Sequence, residues 1–111
     1  MTKRIKGIKV FEKDLSCRGF QYDIGKTYEI DGEPILCKRG FHFHHKAKHI
    51  LNYYNEKLNE YRYCEVVGYD VIKSDDKCVA RKIKIVRELS EKEKITILNN
   101  ARNNDGWTAL S

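Results

Sequence analysis

The predicted fold class rests on one stretch of sequence, Cys37-Lys-Arg-Gly-Phe-His-Phe-His-His-Lys-Ala-Lys-His49. This stretch holds all four histidines of the chain and one of its four cysteines. The sequence before it consists of short β-prone runs, whereas the sequence after it has the periodicity of an amphipathic helix. We therefore expect strands in the first part of the chain and a main helix that begins at residue 46.

The β-prone runs before this switch are short and are separated by turn signals. They occupy residues 5–11, 20–22, 27–30, 35–37 and 41–43. The helical pattern then covers residues 46–59, where a single apolar stripe is formed by Ala47, Ile50, Leu51, Tyr54 and Leu58. A stripe of this kind predicts a helix that packs on the core.

Two longer runs follow, at residues 61–72 and 79–89, and the turn between them predicts a hairpin. Ser90 and Glu93 then have the spacing of a capping box, which predicts a short helix that ends near residue 101. Strands before and after a main helix, followed by a short C-terminal helix, predict an α+β fold. We expect a small, mostly antiparallel sheet packed against one main helix, with a short C-terminal helix.

Length and composition indicate one globular domain, residues 1–111, with a short tail at 103–111. The chain is 41% hydrophobic and 34% charged, which does not fit a disordered segment. It has no apolar run of the roughly 20 residues that a membrane span needs. Because no secretory signal is visible, we expect a cytoplasmic protein whose cysteines are thiols or metal ligands.

The formal net charge of +6 is unevenly distributed. Residues 1–49 carry 11 Lys and Arg against 6 Asp and Glu, whereas residues 50–111 carry 11 against 10. A basic first half favours an acidic partner, either nucleic acid or an acidic protein surface. The alternative is a basic face that only contacts solvent.

Four short motifs stand out along the chain: Cys17-Arg-Gly19, Gly25-Lys-Thr-Tyr28, Cys37 with Gly40-Phe-His42, and Asn52-Tyr-Tyr54. Together they resemble an uncharacterised domain that is common in phages and prophages, over about residues 6–90. In that family a Cys-x-x-Gly-Phe-His-x-Cys motif ends on a cysteine where this chain has His44. The resemblance implies a phage-type protein in a bacterial host, and it implies no particular activity.

Metal binding is one chemical hypothesis for these motifs. Cys17, Cys37, His42 and His44 would form a Cys2His2 set, and zinc accepts thiolate and imidazole in a tetrahedral shell. Cys17, however, stands alone rather than in a Cys-x-x-Cys knuckle. The alternative is that the cysteines are buried and the histidines bond locally. We expect no cofactor, with zinc as the one open possibility.

An enzymatic hypothesis would place His42, with Arg18 or Tyr54, in an ADP-ribosyltransferase-like cleft. No glutamate stands at a suitable place in the sequence, since Glu91 and Glu93 are explained by helix capping. No Ser/His/Asp set is recognisable either. We therefore predict no catalytic residues.

Nucleic-acid binding is a third hypothesis. Four aromatic residues could stack on bases between cations of the first half. The aromatic residues are Phe20, Tyr22, Phe41 and Phe43, and the cations are Lys26, Lys38 and Arg39. The alternative is that these rings belong to the core.

The sequence favours a binding protein over these alternatives. We expect stoichiometric inhibition of a host factor, such as a bacterial defence nuclease complex, in the manner of anti-CRISPR proteins. The partner would be a host protein or ribonucleoprotein complex, with nucleic acid as the alternative, and no membrane is involved. The predicted binding residues are Arg18, Lys38, Arg39, His42, His44, Lys46 and Lys48.

Overall fold

The computed structural model of the chain describes residues 4–35, 39–46, 60–74 and 77–102. Seven strands and one helix lie within these ranges. They are β1 (Arg4–Phe11), β2 (Ser16–Cys17), β3 (Phe20–Gln21), β4 (Thr27–Glu29), β5 (Phe41–Phe43), β6 (Arg62–Lys73), β7 (Cys78–Glu88) and α1 (Glu91–Arg102).

The centre of the fold is the antiparallel hairpin of β6 and β7, as the sequence predicts. At the turn, the Ser74 amide donates a 2.9 Å hydrogen bond to the carbonyl oxygen of Lys77. Strand β1 pairs with the free edge of β6 over its whole length. Strands β4 and β5 both pair with the opposite edge of β7, one beside the other. All of these pairings are antiparallel. Apart from the β6–β7 hairpin, they join strands that are distant in sequence.

The sheet curls until its two sides meet. Directly after β5, the main chain of His44 exchanges two hydrogen bonds of 2.8 Å with that of Ile8 in β1. Strands β1, β6, β7 and β5 thereby form a closed ring. The ring is a small barrel that is open at one end. Phe43 is buried in the interior, and its ring lies over Gly68 at a point where a Cβ atom would approach Phe43 Cε1 to 2.5 Å. Because glycine has no side chain, the ring can pack directly on the strand.

The core cluster is built from the inward side chains of these strands. In β6 the inward residues are Cys64 and Val66, and beyond Asp70 the alternation shifts to Val71. Asp70 itself has a left-handed backbone, with φ of 54°, and accepts a hydrogen bond from Arg81 of β7. An irregularity of this kind increases the local bend and twist of a strand pair, which helps the sheet to close.

The predicted α+β class, a sheet packed against one main helix, is wrong, because the domain is mainly β. The core cluster of the described residues consists of strand and loop side chains, and the curled sheet encloses it. The apolar stripe at residues 46–59 predicts a helix that covers one side of the sheet, but it does not say whether the sheet encloses its own core. That segment, apart from Lys46, lies outside the described residues. The helix that the structure does show is the short one at the C-terminal end.

Helix α1 begins as the sequence predicts. The Glu93 amide donates to Ser90 Oγ at 3.2 Å, and the Ser90 amide donates to Glu93 Oε1 at 2.9 Å, which is a complete capping box. Arg87 joins this helix to the sheet, because its guanidinium bonds both Glu93 and Glu65. In the described part of the chain, no helix has the length and apolarity that crossing a bilayer requires.

Candidate ligand-binding cleft

One end of the barrel opens into a cleft of about 410 Å³. The first strand, the β2–β3 hairpin, β4 and β5 all contribute to its walls. We call it the Lys9 cleft, and it is lined by Lys9, Cys17, Arg18, Phe20, Tyr22, Tyr28, Glu29, Ile30, Gly40, Phe41 and His42. Its volume lies within the range of about 300–1,000 Å³ that is usual for small-molecule sites.

Lys9 occupies an inward position of β1, on the same face as Ile5 and Phe11. Only 4% of the residue is exposed. Its Nζ atom donates a 2.6 Å hydrogen bond to the carbonyl oxygen of His42 and lies 5.4 Å from the centre of the Tyr22 ring. Burial is the main cause that lowers the pKa of this amine below its usual 10.5, and the neighbouring Cys17 acts in the opposite direction.

The contacts of Lys9 leave it able to bind a ligand. In the described ranges they consist of the His42 carbonyl, the Cys17 thiol and the Phe11 and Tyr22 rings, and none of these is a carboxylate. An ammonium group has three donors, and one strong acceptor satisfies only one of them. A buried cation without an acidic partner is unfavourable, so an anion that enters the cleft would gain an unusually strong contact.

Arg18 stands at the mouth of the cleft because of a tight turn. Cys17 pairs with Phe20, and the two residues between them have positive φ, 53° for Arg18 and 82° for Gly19. Two left-handed residues in a two-residue hairpin define a type I′ turn. Arginine in this conformation costs about 1 kcal/mol relative to a residue that tolerates it. The turn thereby places the exposed Arg18 among the lining residues of the cleft, together with Lys9.

Aromatic rings form the apolar side of the cleft. Phe20, Tyr22 and Tyr28 contact one another edge to face, with centroid distances of 4.7, 5.5 and 5.2 Å. Tyr22 is buried, whereas Phe20 is 45% exposed. Tyr28 is held in place by the Asp23 amide, which donates a 2.7 Å hydrogen bond to its hydroxyl oxygen. A ligand in the cleft would therefore contact both cations and an exposed ring.

His42 is half-buried between these groups. Burial first, and then the positive charges of Lys9, Lys77 and Arg18, lower its pKa to about 4. The imidazole is therefore neutral at pH 7. Glu29 is the one carboxylate among the lining residues, and it is paired with Arg81 of β7. The charged residues that line the cleft are therefore two basic residues, Lys9 and Arg18, against one carboxylate.

The structure brings together two of the predicted binding residues, Arg18 and His42. Arg39 is not among the lining residues of the cleft, and its main chain exchanges two hydrogen bonds with that of Ile35. His44 is buried beside β1, and Lys46 is half-buried. Lys38 and Lys48 lie outside the described residues. Of the four aromatic residues proposed for base stacking, Phe20 is exposed, while Tyr22, Phe41 and Phe43 are part of the core.

The predicted zinc ligands divide in a similar way. Cys17 and His42 line the same cleft, but His44 is not among its lining residues, and Cys37 lies outside the described part of the chain. Within residues 4–35, 39–46, 60–74 and 77–102, no three His, Cys, Asp or Glu side chains form a group that could hold a metal ion. The Cys2His2 set therefore stays a prediction.

Lys9, the central residue of the cleft, is not among the binding residues that we predicted from the sequence. A signal was present, because the run from Ile5 to Phe11 was correctly predicted as a strand. Period-2 alternation places residue 9 on the same face as residues 5 and 11, both of which are apolar. A lysine on the apolar face of a strand is a buried-cation candidate, and such residues mark functional sites.

Comparison with known proteins identifies the family of the chain and no closer relative. No curated protein and no solved structure matches it significantly. A family described as "Domain of unknown function (DUF7666)" matches residues 5–97, a range that includes every residue of the Lys9 cleft. The chain therefore belongs to the family of domains of unknown function DUF7666.

Proposed function

We propose that this domain acts by stoichiometric binding, and that the Lys9 cleft takes an anionic group of its ligand. The observation that carries the proposal is the amine of Lys9, which is almost completely buried, faces the cleft and has no carboxylate partner among the described residues. The exposed guanidinium of Arg18 adds a second cation at the mouth. An anion that bridges the two would make charge-assisted hydrogen bonds to both.

The biological setting is part of the same proposal. The resemblance of the sequence motifs to phage and prophage domains supports a phage-type protein that inhibits a host factor, such as a bacterial defence nuclease complex. A ribonucleoprotein target presents many anionic groups, which suits a cation-rich cleft. The partner is thus a host protein or ribonucleoprotein complex in the bacterial cytoplasm. The domain inhibits it by binding one partner per chain and not by catalysis.

The test is capture of a partner by the immobilised chain from bacterial lysate, with and without nuclease treatment. Wild-type chain is compared with Arg18→Ala, Lys9→Met and Lys84→Ala, the last being an exposed cation of β7 outside the cleft. We expect the first two substitutions to abolish capture and the third to leave it unchanged. Equal capture by all four proteins would contradict the assignment of the cleft. Loss on nuclease treatment would identify nucleic acid as the bridging partner.

One observation favours an enzymatic alternative. Glu29 lines the same cleft as Arg18 and His42, and thus supplies the glutamate that an ADP-ribosyltransferase-like site needs. Its carboxylate is already paired with Arg81, which leaves it poorly suited to stabilise a developing positive charge, so we rank this function second. The enzymatic function would rank first if each chain released many molecules of nicotinamide from NAD⁺ and if Glu29→Gln abolished this release.

A further inference from the structure

We propose that the ligand group of the Lys9 cleft is a nucleoside 5′-monophosphate, with its phosphate on Lys9 and Arg18 and its base on Phe20. This inference rests on the proposed function, since it names the chemical class of the anion that the cleft takes. Three features of the site carry it: the number of cations, the exposed ring and the size of the cavity.

The number of cations favours phosphate over carboxylate. Lys9 and Arg18 both line the cleft, and neither has a carboxylate partner among the residues described. With the Lys9 amine protonated, two cations face a phosphate monoester, which carries between about −1.5 and −2 charges at pH 7. The guanidinium of Arg18 can bind two phosphate oxygens, and the ammonium of Lys9 acts as a point charge on a third. A carboxylate has only two oxygens, so it could not make all three of these contacts.

The exposed ring favours a planar group next to the phosphate. Phe20 is 45% exposed although it sits in an aromatic cluster, and its two-residue strand places it directly after Arg18-Gly19. Its edge-to-face contacts with Tyr22 and Tyr28 hold its orientation and leave exposed ring surface. Stacking of a base on an aromatic side chain contributes to affinity whatever the base is, because every base has a π-face.

The size of the cavity limits the ligand to one nucleotide unit. A cleft of about 410 Å³ is at the small end of ligand sites, so it cannot enclose a polymer. Glu29 at the rim can accept hydrogen bonds from ribose hydroxyls, because its pairing with Arg81 leaves lone pairs available. The unit could be a free nucleotide or the 5′ end of a strand, since both present the same phosphate and base.

The experiment is calorimetric titration of the full chain at pH 7.5 with AMP, adenosine, ribose 5-phosphate and a 5′-phosphorylated oligonucleotide. We expect AMP to bind at least about tenfold more tightly than adenosine or ribose 5-phosphate, because it alone makes both kinds of contact. Lys9→Met and Arg18→Ala should each weaken AMP by about tenfold or more, whereas Lys84→Ala should not. Phe20→Ala should reduce the affinity for AMP to that for ribose 5-phosphate.

The outcomes separate this inference from the function on which it rests. AMP that binds no better than ribose 5-phosphate would overturn the assignment of a nucleotide, while loss of both in Lys9→Met would still support an anion site. Absence of binding by every probe at millimolar concentration would also overturn it, and partner capture would then decide the proposed function alone. Tight binding of either AMP or the phosphorylated oligonucleotide supports the inference. The one that binds more tightly shows whether the ligand is a free nucleotide or the 5′ end of a strand.

Discussion

The Nζ atom of Lys9 donates a 2.6 Å hydrogen bond to the carbonyl oxygen of His42, and thereby joins β1 to β5 at the open end of the barrel. The same bond holds a buried cation at the base of the cleft. The residue is thus unfavourable for folding and well placed for binding.

Lys9→Met should raise the free energy of unfolding by about 1 kcal/mol at pH 7, because a methionine of similar shape removes a buried charge that has no acidic partner in the described structure. Burial lowers the pKa of this lysine, so the charged amine is unfavourable at low pH. The difference between variant and wild type should shrink as pH rises toward 10.5. Urea denaturation at pH 7 and pH 10 measures it, and a destabilised variant at pH 7 would show that the ammonium supports the fold.

Acidification should destabilise the domain through His42. Its pKa in the folded state, about 4, lies below the ordinary 6.5, so the unfolded state takes up a proton first as pH falls. The contribution of His42 to stability is therefore complete above pH 6.5 and is lost between pH 6.5 and about 4. Denaturation midpoints of wild type and His42→Gln across this window test the effect, since the variant should show a flatter profile. Parallel profiles would place the acid sensitivity elsewhere.

Gly68→Ala should destabilise the domain by about 1–3 kcal/mol. Its Cβ atom would lie 2.5 Å from Phe43 Cε1 and 3.0 Å from the Cβ atom of Ala80, inside the closed barrel. The double variant Gly68→Ala/Phe43→Leu should recover part of the loss relative to Phe43→Leu alone, because the smaller side chain leaves room for the methyl group. Thermal denaturation of wild type, the two single variants and the double variant gives the coupling energy between the two positions. Strictly additive stability changes would mean that the Phe43 ring does not pack on Gly68.

Arg18→Asn should stabilise the fold and weaken ligand binding. Asparagine tolerates the left-handed backbone that residue 18 adopts, and Asn-Gly is the preferred pair for a type I′ turn. We expect a gain of about 0.5–1 kcal/mol in chemical denaturation. The control is Lys26→Asn, at an exposed position outside the turn, which should change stability little. A loss of stability in Arg18→Asn would show that the arginine side chain contributes to the fold.

The sequence predicted the parts of the fold that depend on local pattern. The β6–β7 hairpin follows from two long β-prone runs around a turn, and the start of α1 follows from the spacing of Ser90 and Glu93. It did not predict the β2–β3 hairpin, because strands of two residues show no periodicity. Nor could it predict the closure of the barrel, which depends on a contact between His44 and Ile8 that is 36 positions distant in sequence.

The candidate site was predicted in part. Arg18, Cys17 and His42 were singled out, and the structure places all three in one cleft. Lys9 and Glu29 were missed, because a charged residue in an alternating strand is normally assigned to the solvent face. The mainly-β class was missed because an apolar stripe in sequence indicates a buried face and does not say whether the sheet encloses its own core.

Binding of an anion in the Lys9 cleft can be measured by NMR titration of the His42 ring with and without sulfate, at ionic strength matched with chloride. Sulfate stays fully charged across the titration of His42. Burial, and after it the positive charges of Lys9, Lys77 and Arg18, lower the pKa of His42 to about 4, and a bound anion would oppose those charges. We expect sulfate to raise the pKa of His42 by about one pH unit. An unchanged pKa of His42 would contradict an anion site at Lys9.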